Sequence, residues 1–161
     1  MPELTQELLK SLLHYDPATG IFTWLVQRGG KKRGAVAGCI VTIKYRYIGI
    51  ERGSYLASRL AYLWMTGAWP LEQMDHINGV RGDDRWVNLR NVSSAVNKQN
   101  CRHARKHNRT GFLGVEQRDS KFVAKIFLNG KCIQLGRFLT AEAAHAAYVA
   151  AKRRLHPGNM L

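Results

Sequence analysis

An aspartate and a histidine stand side by side at Asp75-His76, and two asparagines, Asn88 and Asn97, follow them. Adjacent Asp and His suit metal-assisted phosphodiester hydrolysis, because one can hold a hard cation while the other takes a proton from water. Asn97 is remote along the chain, but a hairpin-then-helix fold would return its amide oxygen to the same cation. Asn88 falls at the end of the intervening loop, where a side-chain amide can bond backbone groups and pin the loop shut. A plainer reading competes. Asp-His followed by Ile77-Asn78-Gly79 also reads as a hairpin turn, with Asn-Gly supplying positive φ angles.

The elements that must position these residues can be read on both sides of them. Glu72 to His76 reads as the first strand of a hairpin, a polar loop runs to Arg85, and Trp86 to Arg90 leads back. Ser93 or Ser94 can cap a helix of about three turns whose Asn97 and Asn100 share a face. Its tail, Cys101 to Arg109, is strongly basic and reads as a linker lying along DNA. Cys101, His103 and His107 lack the Cys-x-x-Cys partner that would complete a zinc site. Upstream, Leu4, Leu8, Leu9, Leu12 and Leu13 form one face of a helix over 4–13, followed by a turn at Asp16 to Gly20 and a strand at Ile21 to Trp24. Arg28 to Gly34 is a basic, Gly-rich loop suited to solvent or to a phosphate backbone. Ile40 to Ile50 reads as one or two strands, with Lys44, Arg46 and Arg52 on or beside a DNA-facing surface. Tyr55 to Met65 has helical spacing, Gly67 and Pro70 stop it, and Trp64 and Trp69 read as core.

Composition shifts again at Thr110. Strands are expected at Val115 to Arg118, Lys121 to Leu128 and Cys132 to Phe138, the last two joined by an Asn129-Gly130 hairpin turn. Thr140 should cap an Ala-rich helix to about Leu155, with Ala143, Ala147, Tyr148 and Ala151 facing the sheet. Val115, Val123 and Ile133 read as facing away from Arg118, Lys125 and Gln134, which leaves one sheet face polar and basic.

With 25 Lys+Arg against 11 Asp+Glu, the 161-residue chain carries a formal net charge of +14. Such a surplus favours a polyanion, since each neutralised phosphate releases condensed counterions. No apolar run reaches membrane-spanning length, and the N-terminus carries acids instead of an apolar signal core. Cys39, Cys101 and Cys132 are odd in number and widely spaced, which fits reduced thiols better than a disulfide framework.

His76, Asn88 and Asn97 fall in the order of the HNH (ββα-metal) nuclease motif, and the text around them, DHING and then DRWVNLR, resembles phage and intron-encoded HNH homing endonucleases. The likeness extends over Leu4 to Asn108 and includes the entry segment from Leu8 through Tyr15-Asp16-Pro17 and Gly20-Ile21-Phe22-Thr23-Trp24. Gly111 to His156 is similar to the AP-two/ERF (ethylene-response-factor) DNA-binding domain, on Gly114-Val115, Phe122 to Ile126, Leu135-Gly136-Arg137-Phe138, Thr140 to Ala144 and Ala147-Tyr148. The pairing is typical of mobile, often phage-borne, HNH nucleases.

These resemblances imply an α+β protein: a ββα-metal HNH nuclease domain over 1–108, its core about 70–107, then a three-stranded antiparallel sheet packed on one helix over 109–161. They imply that Asp75 and Asn97 bind one divalent cation, magnesium or manganese, that His76 is the general base, and that Asn88 holds the loop. Double-stranded DNA is the implied partner, contacted by Arg102, Arg105 and Lys106 and by the sheet residues Arg118, Lys125, Phe127 and Gln134, with Glu116 at a matching position. The plant target sequence does not carry over, because several of these positions differ from the plant pattern. In the nuclease half, Ser58 stands where homing relatives have His, Val80 replaces a polar residue, and Asp83-Asp84 stands where Asp-Asn is commoner. The expectation is a cytoplasmic, metal-dependent, strand-nicking homing endonuclease of a phage-infected or bacterial host cell, monomeric or weakly dimeric, with no membrane partner. Its rival is a non-cleaving, sequence-specific DNA-binding regulator derived from such a nuclease.

Overall fold

The computed structural model describes residues 4–27, 29–41 and 44–160. Arg28, and Thr42 and Ile43 within the expected 40–50 strands, lie outside them. The chain divides into two compact units, Met1–Ser93 and Ser94–Leu161. The expected boundary stood at 108–109; by compactness the division comes earlier, and the helix carrying Asn97 goes with the second unit. Among the described residues, no helix is long and apolar enough to cross a membrane.

In the first unit, the Thr5 hydroxyl accepts from Leu8 N and caps α1 (Gln6–Leu12). The expected helix included Leu13, but Leu13 instead opens β1 (Leu13–Asp16), which pairs antiparallel with β2 (Ile21–Trp24). Pairing with a strand of aromatic and β-branched residues outweighs the leucine periodicity here, since a ladder and two buried faces are gained together. Leu13, Tyr15, Phe22 and Trp24 are buried by alternation, whereas Leu8, expected inward, is exposed. Next come β3 (Cys39–Ile40), β4 (Arg46–Ile50) and β5 (Gly53–Leu56), a three-stranded antiparallel sheet in that order. Tyr55 and Leu56, expected as helix, end β5, so α2 (Ala57–Thr66) starts two residues later. Gly67 ends it with φ +80° and a bond from its N–H to Leu63 O. Leu9, Leu13, Phe22, Ile48 and Leu60 form the centre of the core, each contributing about 1.5–3 kcal/mol by burial. Trp64 and Trp69 pack against it, half-buried. β6 (Gln73–His76) then pairs with β7 (Leu89–Val92), and a single 3-10 turn at Trp86–Asn88 leads into β7.

The second unit opens with α3 (Ser94–Gln99), a helix of six residues. It is shorter than the expected three turns and leaves Asn100 outside. Tight bonds from Asn100 N to Asn97 O (3.0 Å) and Cys101 N to Lys98 O (3.3 Å) close it, and the Asn-, His- and Arg-rich tail offers little helix propensity. Three strands follow, β8 (Val115–Arg118), β9 (Lys121–Leu128) and β10 (Lys131–Phe138), in the order β10-β9-β8. Asn129 and Gly130 both take positive φ, +50° and +78°, as a two-residue type I′ turn requires. Thr140 caps α4 (Ala141–Leu155) by accepting from Ala143 N. Ala144, Tyr148 and Ala151 bury against Val115, Ala124 and Ile126; Ala143, expected on that face, is exposed. The Tyr148 ring occupies the space a β-carbon on Gly114 would need. One facing expectation is corrected by the register. Val123 pairs with Glu116 and Arg137, so it shares the Lys125 face of the sheet and is fully buried there.

Candidate active site

The β6–β7 register places Asp75 opposite Arg90 and His76 opposite Leu89. Successive strand residues point to opposite faces, and the two side chains accordingly find different partners. Asp75 Oδ2 accepts from Arg90 Nε at 2.8 Å and lies 2.7 Å from Nη2, a buried carboxylate met by a cross-strand guanidinium. Nε2 of His76 lies 3.0 Å from Oδ1 of Asp84, with the two residues only 4% and 2% exposed. A carboxylate accepts and does not donate, so the Nε2 proton lies in this bond, and the lone pair of the neutral imidazole is on Nδ1. The other oxygen, Oδ2 of Asp84, is buried with no hydrogen-bond partner.

The loop between the strands is tied by Asn88. Its Oδ1 accepts from Asn78 N (2.9 Å), and its Nδ2 donates to Asp83 O (2.7 Å) and Asn78 Oδ1 (3.1 Å). Gly79 has φ +75°, but Asn78 is not among the residues of positive φ, so the Asn-Gly pair does not make a two-residue hairpin turn. Instead Asn78 Oδ1 accepts from Val80 N at 2.8 Å, an Asx-turn. Asp83 accepts from Arg85 Nε and Nη2 and from Asn78 Nδ2. The Arg85 contact, helped by Asn78, lowers the Asp83 carboxyl to about 2.

The entry segment braces the residue that faces His76. The Tyr15 hydroxyl donates to Asp84 O at 2.6 Å in the interior, and Trp86 N donates to Pro17 O at 3.0 Å. Gly20, at φ +74°, runs so close that a β-carbon would lie 2.4 Å from Arg85 N and from the Asp84 carbonyl carbon. Burial pushes the Tyr15 hydroxyl well above its ordinary value, with the nearby Asp84 adding to the effect. Sequence reasoning placed Gly20 at the end of a turn, singled out Tyr15 only through the resemblance, and marked Asp84 as a departure from the family text. A carboxylate in place of an amide, in the loop that follows a histidine, was the available signal. Ser58, another departure, is buried in the first turn of α2.

Among the described residues, no group of three or more His, Cys, Asp and Glu could hold a metal ion. Magnesium needs no such cage, since it keeps several waters and is held by one or two carboxylates plus substrate phosphates. Asp75 supplies one buried carboxylate, and the unpartnered Oδ2 of Asp84 is a second hard oxygen at the histidine. Carboxylate oxygens of this kind suit a hard divalent cation, and in the structure Asp75 is held by Arg90 and Asp84 by His76. Asn97, expected to share the cation with Asp75, is half-buried on α3.

In the second unit, Arg102, Arg105 and Lys106 line an open cavity of about 380 Å³ together with His103, Phe112 and His145. On the sheet, the register sets Gln134 beside Lys125, and Phe127 is 67% exposed. Glu116 accepts from Arg118 Nε at 3.0 Å and from Lys125 Nζ. These contacts, Lys125 foremost, hold its carboxyl below the usual range.

Residues 55–99 match the model of the HNH endonuclease family. The match runs from β5 to α3 and takes in Ser58, Asp75, His76, Asp84, Asn88 and Asn97. No curated protein and no solved structure matches the chain. Over residues 55–99, less than half of the chain, the sequence is similar to the HNH endonuclease family.

Proposed function

We propose that this protein is a divalent-metal-dependent DNA endonuclease of the homing type, in which His76 is the general base. The observation that carries this reading is the buried His76–Asp84 bond, lying inside the segment that matches the HNH endonuclease family. Nδ1 of His76 takes a proton from water as the water oxygen attacks phosphorus and the 3′ oxygen leaves. Asp84 fixes the ring through Nε2 and balances the positive charge the imidazole acquires. Asn88 and the Tyr15–Asp84 bond hold the loop that presents Asp84. Asp75 and Asn97 would hold magnesium or manganese, which when bound supplies electrostatic stabilisation of the charge growing on the phosphate.

In this reading DNA is also followed by the second unit, through Arg102, Arg105 and Lys106 and through Arg118, Lys125, Phe127 and Gln134 of an AP-two/ERF-like sheet. One site per chain makes nicking of one strand the simplest outcome. The test is conversion of supercoiled plasmid to nicked circle with magnesium, with manganese and with EDTA, beside His76→Ala. Metal-dependent nicking that vanishes in His76→Ala is expected. DNA binding with no cut in either metal would replace the nuclease by the non-cleaving regulator.

A further inference from the structure

We infer that the cavity walled by Arg105, Lys106, Phe112 and His145 is a binding site for one unstacked nucleotide of a DNA strand. The two cations hold its phosphate, and its base lies against the two rings. The inference deepens the reading that the second unit follows DNA, and rests on it. The cavity measures about 380 Å³, within the range of about 300–1,000 Å³ found for small-molecule sites. A phosphate lying on a flat basic surface needs no such enclosure. Among the described residues, no aspartate or glutamate lines the cavity, while Arg105 and Lys106 stand exposed at it with His103 beside them. A wall of that charge selects an anion.

The aromatic wall indicates the other half of the ligand. Phe112 and His145 are each half-buried, with ring centres 5.2 Å apart, and His145 stacks in turn on Tyr148 at 6.1 Å. Nδ1 of His145 lies 2.9 Å from Leu113 O. A carbonyl only accepts, so Nδ1 carries the proton and the ring is fixed in place. Aromatic faces beside cations hold an unpaired strand without regard to base identity, since every base has a π-face.

This wall is irregular backbone, yet it is tied down. Asn108 donates from Nδ2 to Phe112 O (3.1 Å) and Val115 O (3.2 Å), and its Oδ1 accepts from Thr110 N (2.9 Å) and Thr110 Oγ1 (2.7 Å). Its own N donates to Arg105 O at 2.9 Å, closing the turn that carries Lys106. Further back, Lys152, only 1% exposed on α4, donates from its ammonium to Cys101 O. Burying an ammonium is costly, and here it anchors the start of the cationic segment to the helix. A wall ordered before the ligand arrives loses less entropy on binding.

The test uses the full-length protein in EDTA and three fluorescently labelled duplexes: one fully paired, one with a single unpaired thymidine, and one with an abasic residue in place of that thymidine. The unpaired thymidine should raise affinity roughly tenfold over the abasic duplex, the scale of one base stacked on an aromatic side chain. The paired duplex should also bind more weakly, because its base must first be extruded. Phe112→Leu keeps apolar bulk without a π-face and should abolish the preference, whereas Phe112→Tyr should keep it. Arg105→Ala and Lys106→Ala should each make the slope of log affinity against log salt shallower by about 0.9 on the thymidine duplex, the signature of one lost phosphate contact. Equal wild-type affinity for the thymidine and abasic duplexes would overturn the nucleotide site and leave the DNA reading standing. A preference that survives in Phe112→Leu would likewise remove the base from this cavity. No binding to any of the three would end the DNA reading, and the site with it.

Discussion

Nε2 of His76 and Oδ1 of Asp84 are 3.0 Å apart, and both side chains are almost wholly withdrawn from solvent. A bond in that setting does two things. It selects the imidazole tautomer with its lone pair on Nδ1, and it leaves one carboxylate oxygen of Asp84 without a protein partner.

Removing the base and removing its orienter should therefore have different consequences. His76→Ala should lower the nicking rate by roughly 10²–10⁴-fold, the range of a lost general base. Asp84→Asn keeps an acceptor but no charge, and should cost about tenfold, near 1.4 kcal/mol of barrier. Asp84→Ala should cost more than Asp84→Asn. Single-turnover nicking rates at saturating protein check the order, and equal rates for Asp84→Ala and the wild type would remove Asp84 from the mechanism.

Tyr15 and Gly20 act on the same residue from behind. Tyr15→Phe leaves Asp84 O without its 2.6 Å donor in the interior, which should destabilise the fold by about 1–3 kcal/mol. Gly20→Ala forces a β-carbon against the Asp84–Arg85 backbone at positive φ, and should cost about 2 kcal/mol or more. Urea unfolding midpoints read both.

Much of this was legible in the sequence, and the reasons differ by element. The Asn129-Gly130 turn and the strands around it were plain, because a two-residue turn of positive φ admits few residue types. The Asp75-His76 pair at a strand end was found from residue chemistry and order. The His76–Asp84 bond was not, since Asp84 reaches His76 through a loop whose course is set by Asn88, Tyr15 and Gly20, all remote or conformational effects. Strand β1 was hidden behind a leucine pattern that fits a helix equally well. The facing of Val123 was misread although a period of two places it with Lys125. Length misled at α3, where a basic tail looked like more helix.

Asp83 makes stability sensitive to acid. The Arg85 and Asn78 contacts hold its carboxyl at about 2 in the folded protein, against about 3.9 in an unfolded chain. A depressed folded value adds stability that is full above the unfolded value and lost as pH falls through the folded one. The contribution should thus fade between about pH 4 and pH 2. Denaturation midpoints measured through that window should fall less steeply in Asp83→Asn than in the wild type. Parallel curves would mean the Arg85 pair contributes nothing.

Glu116 sits between Arg118 and Lys125 on the outer sheet face, accepting from both. If that face meets DNA, the carboxylate opposes binding twice, by repelling phosphate and by occupying two cations that would otherwise contact it. Glu116→Gln removes the charge and weakens its hold on both cations. Affinity for duplex DNA at moderate salt should rise, and the slope of log affinity against log salt should steepen by about 0.9 for each phosphate newly contacted. Lys125→Ala and Arg118→Ala should weaken binding and flatten the slope. In a double variant with Lys125→Ala, Glu116→Gln should recover less than it gains alone, because part of its effect passes through that ammonium. Anisotropy titrations over a salt series measure all four proteins. Identical slopes for Glu116→Gln and the wild type would place the DNA elsewhere than on this sheet.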